Sequence, residues 1–171
     1  MDEKNSILSP TTKRRLIVQG YNCYSDKELN DYKYGIRFAY YLCDSLMILG
    51  LLLTNLWILA TIMTIAFFGA LLPHHPFDYL YNYGIRHMIN KPPIPPRTNQ
   101  VKFACGIATV WLFGIILLFH FGLNIWGYIA GAIIASVVTL VATTDICIPS
   151  MIYNALFNRG QKNEQRQPNK K

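Results

Sequence analysis

The residues of this chain best suited to chemistry are four cysteines, Cys23, Cys43, Cys105 and Cys147, and two isolated aspartates, Asp44 and Asp145. A thiol attacks as its thiolate, and a helix N-terminus favours that form. Cys147 stands in the stretch "TDICIPSMIY", residues 144–153. Pro149 cannot continue a preceding helix without loss of a hydrogen bond, but it suits the first turn of a new one. The stretch therefore predicts a short helix over 149–158, stopped by Gly160, with Cys147 just ahead of it. That is the setting of a reactive thiol; padding of a kink is the other reading of the same residue. Asp145 opposes ionisation as a like charge, and the helix start is expected to outweigh it. Cys23, two residues before the N-cap candidate Ser25 and near Lys13, Arg14, Arg15 and Lys27, is the second candidate catalytic thiol. Cys43 and Cys105 fall within apolar runs and read as small packing residues.

The carboxylates suggest a polar network. Lys33, Arg37, Tyr40, Tyr41 and Asp44 share one helical face. In an apolar setting such a stripe must turn inward, with tyrosine hydroxyls or Thr143 and Thr144 holding Asp44. The expected network comprises Arg37, Tyr40, Tyr41, Asp44, Asp145, Ser150 and Tyr153. Structural support and a proton or ion site both remain open for it. The pair His74-His75 is the only weak candidate for metal, and adjacent histidines alone read as loop residues. No C-x-x-C zinc pattern occurs, so neither a metal nor a cofactor is expected. Whether the chain is an enzyme is left open.

The elements that must hold these residues follow from where the charges are absent. Hydrophobic residues make up 52% of the 171 and charged ones 15%. Ser45 to Phe77 and Phe103 to Thr144 contain no Asp, Glu, Lys or Arg. A bilayer span takes about 20 apolar residues, so each run fits two helices, parted at Thr54-Asn55 and at Gly122-Leu123-Asn124. The expectation is an all-α integral membrane protein with four transmembrane helices in two hairpins, near 36–53, 56–72, 103–120 and 125–146. All 16 basic residues lie in 1–37, 86–102 and after Phe157. By the positive-inside rule both termini and the central segment are cytoplasmic, and Trp57 and Trp126 mark the far interface. No cleaved signal peptide is expected; the first span would serve as a signal anchor.

Between the hairpins, Phe77, Leu80, Tyr81, Ile85 and Met88 recur at helical spacing opposite Asp78, Asn82, Arg86 and Asn90, which predicts a cytoplasmic-side interfacial helix. Residues 1–24 read as an irregular cytoplasmic arm, 25–158 as the four-helix membrane domain, and 159–171 as a disordered basic tail. Ser25 and Glu28 have capping-box spacing. Gly127, Gly131, Ala135, Thr139 and Thr143 step by four, a row that admits close helix packing inside the chain or across a homodimer. The net charge of +7 is absorbed by topology, and no basic-aromatic motif points to nucleic acid.

Cys23, then Asn30 with Arg37, two apolar hairpins, "PPIPPRTNQVKFA" and finally Cys147, Ser150 and Tyr153 form a pattern over about residues 20–158. It resembles the bacterial membrane family catalogued as domain of unknown function 4395. That family has Cys-Pro near its start and C-x-x-C-x-x-Y at its end; here Tyr24 replaces the proline and Ser150 the second cysteine. The resemblance implies a bacterial inner-membrane protein and carries no activity. If the family's cysteine pair works as a dithiol, this chain would use Cys147 as a monothiol, with Cys23 resolving. Three functions stand: a sulfur or redox relay toward a cytoplasmic thiol or sulfur-transfer protein, a non-catalytic scaffold or accessory subunit, and a small transporter.

Overall fold

The computed structural model describes residues 8–157, and all regular structure among them is helical. Eight α-helices follow one another: α1 Pro10–Val18, α2 Asp26–Leu52, α3 Leu56–Leu71, α4 Pro76–Leu80, α5 Arg86–Met88, α6 Asn99–His120, α7 Asn124–Thr144 and α8 Ile148–Phe157. A π-helical turn, Tyr81–Ile85, joins α4 to α5. By length and composition α2, α6 and α7 can each cross a membrane. The pair α3 and α4–α5 reaches that length only together, across a bend of 86°.

Local chemistry sets the boundaries. Ser25 caps α2 with the expected capping box, its N–H donating to Glu28 Oε2 at 2.8 Å. Asn55 caps α3 by accepting from the Trp57 and Ile58 N–H groups at 3.0 and 3.2 Å. Thr54 and Gly122 take positive φ in the two tight turns, and Asp145 does so where α7 ends. Thr98 caps α6. Outward-facing Leu52, Trp57, Val110, Phe113, Phe121 and Ile125 are exposed, which a lipid surface tolerates and water does not. Inside, α3 packs on α6, α2 on α7, and α6 on α7. One core, around Met47, Leu59, Ile62, Leu112 and Ile115, fills the body of the bundle. A second, around Leu16, Tyr21, Leu29, Ile36 and Tyr81, fills the end where the arm and the central segment meet, here called the basic end.

Several expectations change. The arm is not irregular throughout, because Pro10 starts a helix and Leu16 and Tyr21 are fully buried. Bonds to distant segments hold it there: Arg15 Nη1 donates to Thr144 O at 2.7 Å and Gln19 Nε2 to Asp145 O at 2.8 Å. Asn154 Nδ2 donates to Val18 O at 2.7 Å, and Thr98 Oγ1 to Gln19 O. The segment after Pro76 is helical but breaks at the π turn, and its faces depart from the expected pattern, with Asp78 buried and Leu80 and Met88 exposed. α8 starts at Ile148, with Pro149 second. In the small-residue row, a Cβ on Gly131 would meet Leu51 Cδ2 at 2.5 Å and one on Gly127 would meet Phe119 Cε1 at 2.9 Å. Those two glycines are used inside the monomer, which removes them as a homodimer seam through Gly127, Gly131 and Ala135. The tail over 159–171 lies outside the described residues.

Candidate functional site

At the basic end the central segment folds inward rather than lying on the surface. Asp78 and Arg97 form a buried ion pair, their side chains 0% and 2% exposed. Arg97 Nε donates to Asp78 Oδ2 at 2.6 Å, and Nη2 donates to Oδ1. The Arg97 N–H also donates to Pro73 O at 2.7 Å, which fastens the proline strap to the end of α3. Burial of two charges is tolerable only with such paired geometry. One donor is left over: Arg97 Nη1 has no hydrogen-bond partner among the described residues. Tyr40 lays its ring 5.5 Å from the guanidinium carbon, and its buried hydroxyl is also unpartnered. Tyr21 adds a second such hydroxyl beside Arg97, without a hydrogen bond of good geometry. Burial raises the Tyr21 phenol and the guanidinium lowers it by less, so it stays protonated.

His75 ties this pair to the thiols. Its N–H donates to Asp78 Oδ2 at 2.9 Å, and its Nδ1 accepts from the Phe77 N–H at 3.3 Å. An accepting Nδ1 puts the proton of the neutral ring on Nε2. Nε2 lies 3.9 Å from Cys43 Sγ, so the imidazole donates toward that sulfur and cannot take its proton. Burial, followed by the Arg97 charge, pushes the His75 pKa down to about 4, which keeps the ring neutral near pH 7. Cys105 sits on the same side: a Cβ on Gly69 would collide with His75 Cδ2 and lie 3.3 Å from Cys105 Sγ.

Tyr40, Cys43, His75, Arg97, Cys105 and Cys147 line one cavity of about 300 Å³. Its remaining walls are apolar, from residues such as Ile107 and Trp111 on α6, Ile133 and Val137 on α7, and Ile152 on α8. Cys147 occupies the N-cap of α8, its carbonyl accepting from the Met151 N–H at 3.1 Å. Its thiol faces the amide and hydroxyl of Ser150, the latter without a hydrogen bond of good geometry. Cys147 is 4% exposed. Burial raises its pKa by more than the Ser150 contacts lower it, so the helix start does not win the contest expected from the sequence.

The other expected residues divide into separate groups. Arg37 pairs with Asp145, Nε to Oδ1 at 2.8 Å, which links α2 to the end of α7. Asp44 accepts from Thr139 Oγ1 at 2.6 Å rather than from tyrosines or from Thr143 and Thr144. Tyr41 is exposed, and Tyr153 packs its ring on Phe103 and Phe157. Cys23 is exposed on the arm, its thiol 3.6 Å from Asn22 Oδ1. His74 sits edge-on to Tyr79, away from the role of His75. Among the described residues no group of three or more His, Cys, Asp or Glu is arranged to hold a metal ion.

Sequence reasoning missed Arg97 and Asp78, and it set Cys43 and Cys105 aside as packing. The available signal was the His75-Pro-Phe-Asp78 capping spacing at the end of a charge-free run. Residues 33–158 match the family described as "Domain of unknown function (DUF4395)". No curated protein and no solved structure matches the chain.

Proposed function

The chain belongs to the family described as domain of unknown function 4395, and on that footing we propose that it is a four-span bacterial inner-membrane protein carrying a thiol–disulfide centre at its cytoplasmic, basic end. One observation carries the reading: three cysteines from separate segments, Cys43, Cys105 and Cys147, line a single cavity. The co-reactant is a disulfide on a cytoplasmic thiol or sulfur-transfer protein. Cys147, once uncovered and stripped of its proton by water, attacks one sulfur of that disulfide, forming a mixed disulfide and expelling the other sulfur as thiolate. Cys105 then attacks the Cys147 sulfur and releases the second partner thiolate. A Cys105–Cys147 disulfide remains, two electrons have passed to the partner, and its two thiolates take up the two protons lost by the cysteines. Cys105 takes the resolving role given earlier to Cys23, because it shares the cavity with Cys147.

The test is mild diamide oxidation of the detergent-purified chain and its single-cysteine variants, with tryptic mass spectrometry. The expected product is a Cys105–Cys147 disulfide, lost in Cys105→Ser and Cys147→Ser. Absence of any intramolecular disulfide overturns the reading. It then leaves a membrane scaffold whose cysteines only pack, a function favoured by the burial of Cys147.

A further inference from the structure

The cavity beside Arg97 has a polar end made of donors and a body made of hydrocarbon. On its wall His75 turns Nε2 toward Cys43, while Arg97 Nη1 and the Tyr40 hydroxyl are buried and unpartnered among the described residues. An unmade bond at a buried donor is costly; the Tyr21 hydroxyl lies beside Arg97 but makes no bond of good geometry to it, so the two donors leave a place for an acceptor from outside the chain. Its charge follows from the surroundings. Asp78 already neutralises Arg97, so an anionic occupant would bring an uncompensated charge into a low-dielectric site. A neutral carbonyl oxygen accepts from both donors without that cost. Its shape follows too. About 300 Å³ lies at the small end of ligand pockets and takes a ring or short chain. Among the lining residues, Trp111, Ile133, Ile148 and Ile152 are also exposed on the outer face of the bundle. An apolar tail can therefore leave between α6, α7 and α8 into the bilayer.

We infer that this cavity binds a neutral, carbonyl-bearing amphiphile drawn from the membrane, its oxygen held by Arg97 Nη1 and the Tyr40 hydroxyl. A lipid quinone and a fatty ester share that chemistry. The inference rests on the cavity and its unpaired donors, not on thiol reactivity, so it stands or falls separately from the thiol–disulfide centre.

Trp111 lines the cavity, whereas Trp57 and Trp126 lie at the opposite turns. The full chain carrying Trp57→Phe and Trp126→Phe thus reports through Trp111 alone. Titration with decylubiquinone should quench its emission saturably at one per chain. Methyl decanoate should compete if an ester also fits; if it does not compete, the occupant is of the quinone type. Tyr40→Phe, which keeps the ring over Arg97, should weaken binding about 5–10-fold by removing one donor. Three results overturn the inference: quenching that never saturates, equal affinity in Tyr40→Phe, or equally tight competition by decylbenzene, which lacks the carbonyl.

Discussion

A leftover donor and a histidine held neutral define the chemistry of the basic end at the level of single side chains. For His75 the folded pKa of about 4 lies below the ordinary value of about 6.5. Between those values the unfolded chain binds more protons, so stability rises with pH there. The contribution is present in full above about pH 6.5 and is lost as pH falls toward 4. In detergent the melting temperature should drop over that window. His75→Asn, which keeps a capping acceptor but cannot titrate, should drop less; identical slopes would refute the assignment. Asp78→Leu strands a buried guanidinium, at a cost of about 3–5 kcal/mol, and the double variant Asp78→Leu, Arg97→Met should melt higher than that single variant. Cys147 should alkylate with iodoacetamide at an apparent pKa above the free-thiol value of about 8.5, because its burial dominates. A value below it would restore the ionised thiol expected from the sequence. At this scale the sequence placed Arg37 and Asp145 in one polar network, and the two are paired. It missed Arg97, which lies in a proline-rich strap and reads as one more surface charge until Asp78 is seen beside it.

Helix ends were legible because their causes are local. The Ser25–Glu28 box, the Asn55 cap and the Gly122 turn all lie within a few residues of what they terminate. The helical arm was not legible, since its burial depends on carbonyls of Thr144 and Asp145 far along the chain. The break inside the central helix was equally hidden, because inward pairing of Asp78 and Arg97 competes there with a uniform amphipathic face. Close helix packing gives a contrasted test. A Cβ on Gly35 would sit 2.5 Å from Ile94 Cγ1 and 2.8 Å from Tyr81 Cε1, whereas one on Gly114 meets nothing within 4 Å. Gly35→Ala should therefore destabilise by about 1–3 kcal/mol through overpacking. Gly114→Ala in α6 should be neutral or gain up to about 1 kcal/mol from lower backbone entropy. Equal melting temperatures for the two variants would mean that the strap does not press on α2.

For the whole molecule, orientation rests on the basic residues, and it is testable in cells. In a cysteine-free background, cysteines placed at Asn55 or Leu123 should react with membrane-impermeant maleimide from outside, and one at Gln161 should not. Labelling at 161 would reverse the proposed topology. The fold has a further consequence that concerns time rather than position. The arm is the first described element to be synthesised, yet beyond its bond from Thr98 its docking bonds run to Thr144, Asp145 and Asn154, near the end of the described residues. A ribosome making about 5–20 residues per second therefore leaves α1 waiting several seconds for these late partners, with Arg14 and Arg15 open to attack. Stalled chains that end at Thr144 should be cut by trypsin in the arm, while the released full-length protein resists. Completion of this protein is thus an event at the ribosome's exit, when α8 arrives and the oldest segment finally closes.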